Sequence, residues 1–585
     1  MKNIFLVILI SLLLNSCAPF RYHYFGETPK RAGHYPHFTG KNYLIGKLEE
    51  DRAGYHVTFY DLNLSLDLEK KTIEGEVTIW FRAVKRIKNI RFDLYKNLDI
   101  HSLKFSGNEL EFVRKDRAVF VSLPDSLVIG NYYSIIVRYG GEPVQAKKPP
   151  WIGGMVWNKD KNGNPWIGVT CETEGASIWF PCKDHLSDEP DSVRLQMTVP
   201  AGLQVVSNGI MENHTTKNGK EIFTWSTHYP INIYDITFYA GKFAHFSDTL
   251  HTRQGILNLD YYVLPENLEK AKDHFKQVKD VINIYSRSFG PYPWIKEGYK
   301  LVEGPFEGME HQTAIAYGSG YTDLKILGGD YIIVHETAHE WWGNAVSVSD
   351  FSDIWLQEGF ATYSEMIYAE NKKGFDSSLV YAGTWVAGSI RNNLPVVGPR
   401  NVSYWDYSDI DVYGKGAMIL HTMRNVINDS TLFFDILQTY YREHAAKSHV
   451  TTSDFIEVVE RKTGKDWHKF FEAYLYSREV PTLYWYYGAY EIGPEKDTGV
   501  KTYVPFAVAK WIHVPEGFTM PVTLDCKNGN TSLTIEVTTK PTLFWLKNMT
   551  MCNLLSCNKK LSYFNVIKDA GILKEYEVLA SGKKK

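Results

Sequence analysis

The chain has 585 residues and a formal net charge of −3, with 44% hydrophobic and 22% charged residues. That length exceeds what one core supports and predicts about three or four domains. The near-neutral total gives no argument for nucleic acid as a partner or for electrostatic attachment of the whole chain to an acidic membrane. Aromatic residues, 14% of the total, suit β-rich packing and substrate grooves.

The first element is the apolar run Ile4–Leu14 behind Lys2, too short to span a bilayer and of signal-peptide length. It runs into Leu14-Asn15-Ser16-Cys17, which resembles the lipobox of bacterial lipoproteins. Residues 1–17 are therefore read as a lipoprotein signal region, with acyl chains on Cys17 holding the protein to the membrane of a bacterial cell envelope. The other reading is an ordinary cleaved signal with an incidental cysteine. Five further cysteines follow, so at least one thiol is unpaired within the chain. Cys552 and Cys557 are close enough in sequence to pair.

Residues 18–50, rich in Gly, Pro, Tyr and charge, read as a tether. Over 51–250 short alternating runs broken by turns predict a β domain, a sandwich or saddle, with Leu62–Leu68, Val77–Trp80, Val119–Leu123 and Tyr132–Tyr139 as strands. Helical periodicity dominates 251–480, with helices expected over Leu268–Arg287, Asp330–Trp342, Ile354–Glu370, Tyr413–Val426 and Thr452–Tyr476. From 481 to 585 alternation returns, as in Leu533–Val537, and predicts a small C-terminal β domain. The expected class is multidomain α+β.

His335-Glu336-Thr337-Ala338-His339 lies within the second of those helices. Residues four apart share a helix face, so both imidazoles can reach one ion, while Glu336 can face water on that ion. Two histidines satisfied by local hydrogen bonds are the alternative. Gly343-Asn344 ends this helix, and a polar loop leads to a second helix carrying Glu358, nineteen positions after His339. Two His and one Glu leave a fourth zinc position for water, the arrangement of catalytic zinc sites.

These segments, His335 to Asn344 and Trp355-Leu356-Gln357-Glu358-Gly359-Phe360-Ala361, resemble the gluzincin zinc aminopeptidases, the family that includes leukotriene A4 hydrolase. The resemblance runs in order over most of residues 54–480. It implies a thermolysin-like catalytic domain with one zinc on His335, His339 and Glu358, and Glu336 as general base. Tyr413-Gly414-Lys415-Gly416 is similar to a segment whose tyrosine donates to the oxyanion. Gly308-Met309-Glu310 is similar to the substrate-binding strand, in which the Glu holds the α-amine. Glu172, ten residues before Cys182, matches the position of a second amine-binding carboxylate. Taken alone, each of these tyrosine and glutamate residues reads as a packing or surface residue.

Glu307, His311 and Gln357 depart from the family pattern, as does the short β-rich end where many relatives carry a long helical domain. Glu365 and Asp353 are candidates to hold the zinc histidines from behind, with capping the other reading for Asp353. The expected partners are peptides with a free N-terminus and, through Cys17, a membrane. An endopeptidase or epoxide hydrolase on the same zinc site, and a catalytically silent binding lipoprotein, are the rival readings. The sequence leaves the oligomeric state open.

Overall fold

The computed structural model describes residues 35, 37–403, 410–446, 449–494, 501–526, 532–546, 552–553, 562–569, 571–572 and 575. Cys17 and Cys557 lie outside these residues. The described part of the stretch read from sequence as a tether is not all extended. It forms helices α1 (Gly40–Gly46) and α2 (Glu50–Ala53), and Asn42 on α1 donates to the Ser403 carbonyl at 3.0 Å.

An eight-stranded sheet dominates the N-terminal part, with Tyr55–Asp67 at its centre between Ser192–Pro200 and Thr72–Ala83. Alternation builds it: Leu62, Leu64 and Leu66 are buried while Asn63 faces solvent. All its pairings are antiparallel except that of Tyr55–Asp67 with Ser192–Pro200. A four-stranded sheet contains Pro165–Thr170, which leads straight into Glu172. A third sheet, of five strands, starts at Ala244–Thr252 and ends in the short edge strand Gly308–Met309. Strands of this sheet therefore continue past residue 250, and the sheet packs against helices, with Gly308–Met309 and Ile315–Tyr317 beside the helix that starts at Tyr331. One continuous buried apolar core runs through all these layers.

The helices are α3 (Leu268–His274), α4 (Gln277–Ser288), α5 (Tyr331–His339), α6 (Trp355–Lys373), α7 (Phe375–Tyr381), α8 (Gly414–Ile427), α9 (Ser430–His444), α10 (Thr452–Thr463) and α11 (His468–Leu475). Two expected helices are broken. Leu268–Arg287 divides at Phe275, whose ring enters a cluster with Tyr261, Tyr317 and Tyr321. Thr452–Tyr476 divides at Gly464, which caps α10 in the left-handed region at φ 66°. Helix α5 also stops at His339 rather than Trp342, because the chain turns through Gly343 at φ 123° and Asn344 donates its N–H back to the His339 carbonyl at 3.0 Å.

The C-terminal part forms a four-stranded and a three-stranded sheet, and Leu533–Val537 falls within the latter. There the antiparallel register sets Cys552 opposite Cys526. No described helix is long and apolar enough to cross a membrane.

Candidate active site

Helix α5 opens with Asp330, whose carboxylate accepts from the Ile332 N–H at 2.9 Å, an N-cap that orients the whole helix. One turn on, His335 and His339 project from the same face with their Nε2 atoms 3.2 Å apart. Helix α6 packs alongside and brings Glu358 Oε2 to 3.5 Å from His335 Nε2 and 3.4 Å from His339 Nε2. Four ligands about 2.0–2.1 Å from zinc at tetrahedral angles lie about 3.3–3.4 Å from one another. The three observed separations fit that geometry. All three side chains are buried.

Each imidazole is oriented from behind. His335 Nδ1 meets Glu365 Oε1 at 2.6 Å, and the Tyr381 hydroxyl donates to the other oxygen of Glu365. His339 Nδ1 meets the Trp342 carbonyl at 2.9 Å, a contact made possible by the early end of α5. With both Nδ1 atoms occupied by acceptors, the Nε2 lone pairs point into the site. Glu365 thus takes the supporting place expected of it. Asp353 does not: it accepts from Thr452 N–H and Oγ1–H at the start of α10 and pairs with Arg400 at 2.7 Å. Its role is structural capping.

Burial pushes the Glu358 carboxyl up, but the His339 and His335 imidazoles outweigh it and hold the group down near about 2. Burial pushes Glu336 up to about 8 against the pull of the same histidines. Glu336 lies against the edge strand, where a Cβ on Gly308 would stand 2.4 Å from its Oε1. A side chain at 308 would displace the carboxylate, so glycine there keeps helix and strand in contact.

Tyr413 precedes α8, donates to Glu358 Oε1 at 2.9 Å and stacks its ring on His335 at 6.1 Å. Its placement depends on a crossing of α6 and α8 at two glycines. A Cβ built on Gly359 would lie 3.0 Å from the Gly416 Cα, and the converse distance is also 3.0 Å. Only hydrogen atoms fit between the two helices there.

On the opposite flank Glu172 and Glu310 are buried, and an oxygen of each lies with one of Glu358 inside a 4.8 Å group. Burial raises the Glu310 carboxyl, and the Tyr234 hydroxyl donates to it at 3.2 Å. Met309, on the edge strand itself, is buried and lines the cleft with Gly308. The cleft is completed by Pro150 and Trp151 from the β domain, with Glu307 and Tyr331. Sequence reasoning missed Tyr234, Tyr381 and Trp151. Only Tyr331, one helical turn before His335 and stacked on it at 5.5 Å, carried a usable spacing.

The departures resolve in part. His311 turns away from the cleft, shares a 2.7 Å hydrogen bond with Tyr239 and is held neutral by burial, down to about 3. Gln357 donates to the Gly343 carbonyl at 3.4 Å, in the turn that follows α5. Glu307 remains on the cleft wall, half-buried.

This arrangement of a β domain followed by a helical domain that carries the two-histidine, one-carboxylate cluster can be set against known proteins. Residues 56–234 match the peptidase M1 N-terminal domain, and residues 315–474 match the peptidase family M1 domain. The chain belongs to peptidase family M1. It is 24% identical over 408 residues to a probable aminopeptidase 2 of Sulfurisphaera tokodaii, covering 66% of this chain and 50% of that one. Aminopeptidase N of Lactobacillus helveticus is 24% identical over 457 residues, covering 73% and 52%. Leukotriene A-4 hydrolase of Xenopus laevis is 22% identical over 460 residues, covering 71% of each chain. The chain spans about half the length of the first two relatives. In fold it resembles the M1 zinc metallopeptidase of Deinococcus radiodurans, with a TM-score of 0.63, 22% identity, and coverage of 77% of this chain and 98% of that one. A mutant of that enzyme has been solved bound to a Tyr-Ser-Ala substrate, and it aligns here with a TM-score of 0.62.

Proposed function

We propose that this protein is a zinc-dependent aminopeptidase, anchored in the bacterial cell envelope through an acylated Cys17, that removes N-terminal residues from peptides. The peptidase reading is supported by the family and by the match of the His335, His339 and Glu358 donor atoms to tetrahedral zinc spacing. His335, His339 and Glu358 would hold zinc, which would supply Lewis acidity toward water and the scissile carbonyl. Glu336 then takes the proton of the attacking water and returns it to the leaving amine. Placement supports this role: an oxygen of Glu336 lies with donor atoms of His339 and Glu310 inside one 4.8 Å group, within reach of water held at the histidine–glutamate cluster. Tyr413, aimed from beside Glu358, donates to the developing oxyanion.

The observation that carries the exopeptidase reading is the second pair of buried carboxylates. Glu172 and Glu310 stand within a few ångströms of Glu358, where an endopeptidase substrate would offer only a neutral peptide. A terminal ammonium placed between them compensates buried like charges and sets a length of one residue from chain end to cleaved bond. The Sulfurisphaera and Lactobacillus relatives carry aminopeptidase names, in keeping with this reading.

N-acetylation removes the ammonium and leaves those carboxylates without a counter-charge, so acetylated peptides should resist cleavage while free ones are trimmed stepwise. Glu310→Ala should raise KM for free peptides with zinc content unchanged. Internal cleavage of acetylated peptides at comparable rates would leave a zinc endopeptidase in place of the aminopeptidase.

A further inference from the structure

Two stretches of the N-terminal β domain are stitched into one rim. The Gly130 N–H donates to the Ala83 carbonyl at 2.9 Å, the Ala83 N–H to the Asn131 carbonyl at 3.0 Å, and the Leu127 N–H to the Ile87 carbonyl at 2.8 Å. Leu127 and Ile87 turn inward, whereas Val128 and Ile129 at the tip of the turn are 57% and 63% exposed. In the adjoining sheet Tyr132 stands opposite Arg82 and Ser134 opposite Trp80. With Ile79, Phe81 and Ala83 buried, alternation puts Trp80, Arg82 and Val84 on the outer face together with Tyr132, which is 65% exposed. Lys85, Arg86 and Lys88 follow immediately, all exposed. Among the described residues none of these four cations has a carboxylate within ion-pair distance. Against them stand Asp125 in the turn and Glu50 on α2, both exposed.

Apolar tips, interfacial aromatics and unpaired cations on one rim are complementary to a lipid–water boundary that carries negative charge. A two-fold contact with a second copy would bring the cations against their own images, which favours the membrane over self-association. The net charge of −3 does not oppose this, since at physiological salt attraction is decided within a Debye length of about 8 Å. The chain also arrives here: the Gly54 carbonyl, at the end of α2, accepts from the Val84 and Lys85 N–H groups at 2.9 and 3.0 Å. Between Cys17 and the first described residue, the 17 residues 18–34 could span at most roughly 55 Å, so an acylated Cys17 would keep the body of the protein within reach of a bilayer.

We propose that this rim docks on anionic phospholipid, with Val128 and Ile129 entering the headgroup boundary and Arg82, Lys85, Arg86 and Lys88 meeting lipid phosphates. The body of the protein would then hold one orientation on the membrane instead of swinging on its tether.

The test is lysine acylation footprinting of the full, lipid-bearing chain on vesicles of phosphatidylglycerol and phosphatidylethanolamine, against vesicles of phosphatidylcholine. Modification of Lys85 and Lys88, relative to Lys325 and Lys465, should fall at least about fivefold on the anionic vesicles and little on the neutral ones. Val128→Asp with Ile129→Asp keeps Cys17, and should abolish the protection without changing peptide hydrolysis or thermal stability. Protection that survives this double substitution reflects mere proximity to the bilayer and overturns docking. Equal modification on both vesicles, or failure to bind the anionic ones, overturns it as well. Concentration-dependent protection without lipid would make the rim a contact between copies or with another protein, and the membrane assignment would fall.

Discussion

On the α5–α6 flank of the cleft, each imidazole is held by a second group: His335 by Glu365, itself bound by Tyr381, and His339 by the Trp342 carbonyl. On the opposite flank Glu172 comes from the β domain and Glu310 from the end of a two-residue strand, and burial raises the Glu310 carboxyl. The first flank is preorganised, its donor atoms already at ligand spacing. The second gathers negative charge, which in the proposed reading a substrate ammonium would complete. Under the proposed function, binding free energy would be divided, with the His335–His339–Glu358 side governing the chemistry and the Glu172–Glu310 side governing which chain ends are admitted.

Substitutions on the two flanks should therefore fail differently. The largest effect is expected at Glu358→Ala, which removes one of three ligands: zinc content and activity should fall together to background on every substrate. Metal retained at full stoichiometry would show that Glu358 is not a ligand. Glu336→Gln should keep the zinc and lower kcat roughly 10²–10⁴-fold, with metal analysis and steady-state kinetics as the joint readout. Tyr413→Phe removes one donor and leaves the ring, so kcat should drop roughly 10²–10³-fold with little change in binding; a change confined to KM would move Tyr413 to the substrate-binding side. Smallest is Glu365→Gln, which keeps a hydrogen bond to His335 and loses its charge. Zinc affinity should weaken roughly 10–100-fold, read by competition with a chelator, and excess zinc should restore activity. By contrast Glu310→Ala should leave all metal measurements alone. If it lowers zinc content as Glu358→Ala does, the two flanks are not separable.

The metal flank was legible because its information is local. His335, Glu336 and His339 share one helix, and Glu358 follows after one turn and loop. What holds His339 was not legible, since Trp342 reaches it only because α5 ends early, a consequence of Gly343 and Asn344. The amine flank draws on residues far apart in sequence: Tyr234 contacts Glu310 across 76 positions, with no periodicity to announce it. Trp151 likewise comes from a loop that a strand-by-strand reading passes over. The broken helices show the limit of apolar periodicity, which continues through Phe275 and Gly464 although the backbone does not. Gly464 was a readable stop. Phe275 was not, because its ring is drawn into a cluster with Tyr261, Tyr317 and Tyr321 from two other segments.

The crossing of α6 and α8 at Gly359 and Gly416 has a bearing on how this site can vary. Glu358 adjoins one glycine and Tyr413 lies three residues before the other, so the gap between ligand and phenol is a backbone dimension. Neighbouring side chains can be exchanged and the cleft reshaped for other substrates while that dimension stays constant. A single methyl group at position 416 would move it for every substrate at once. The two glycines act as a gauge block for the site, and the tolerance they impose is the width of a hydrogen atom.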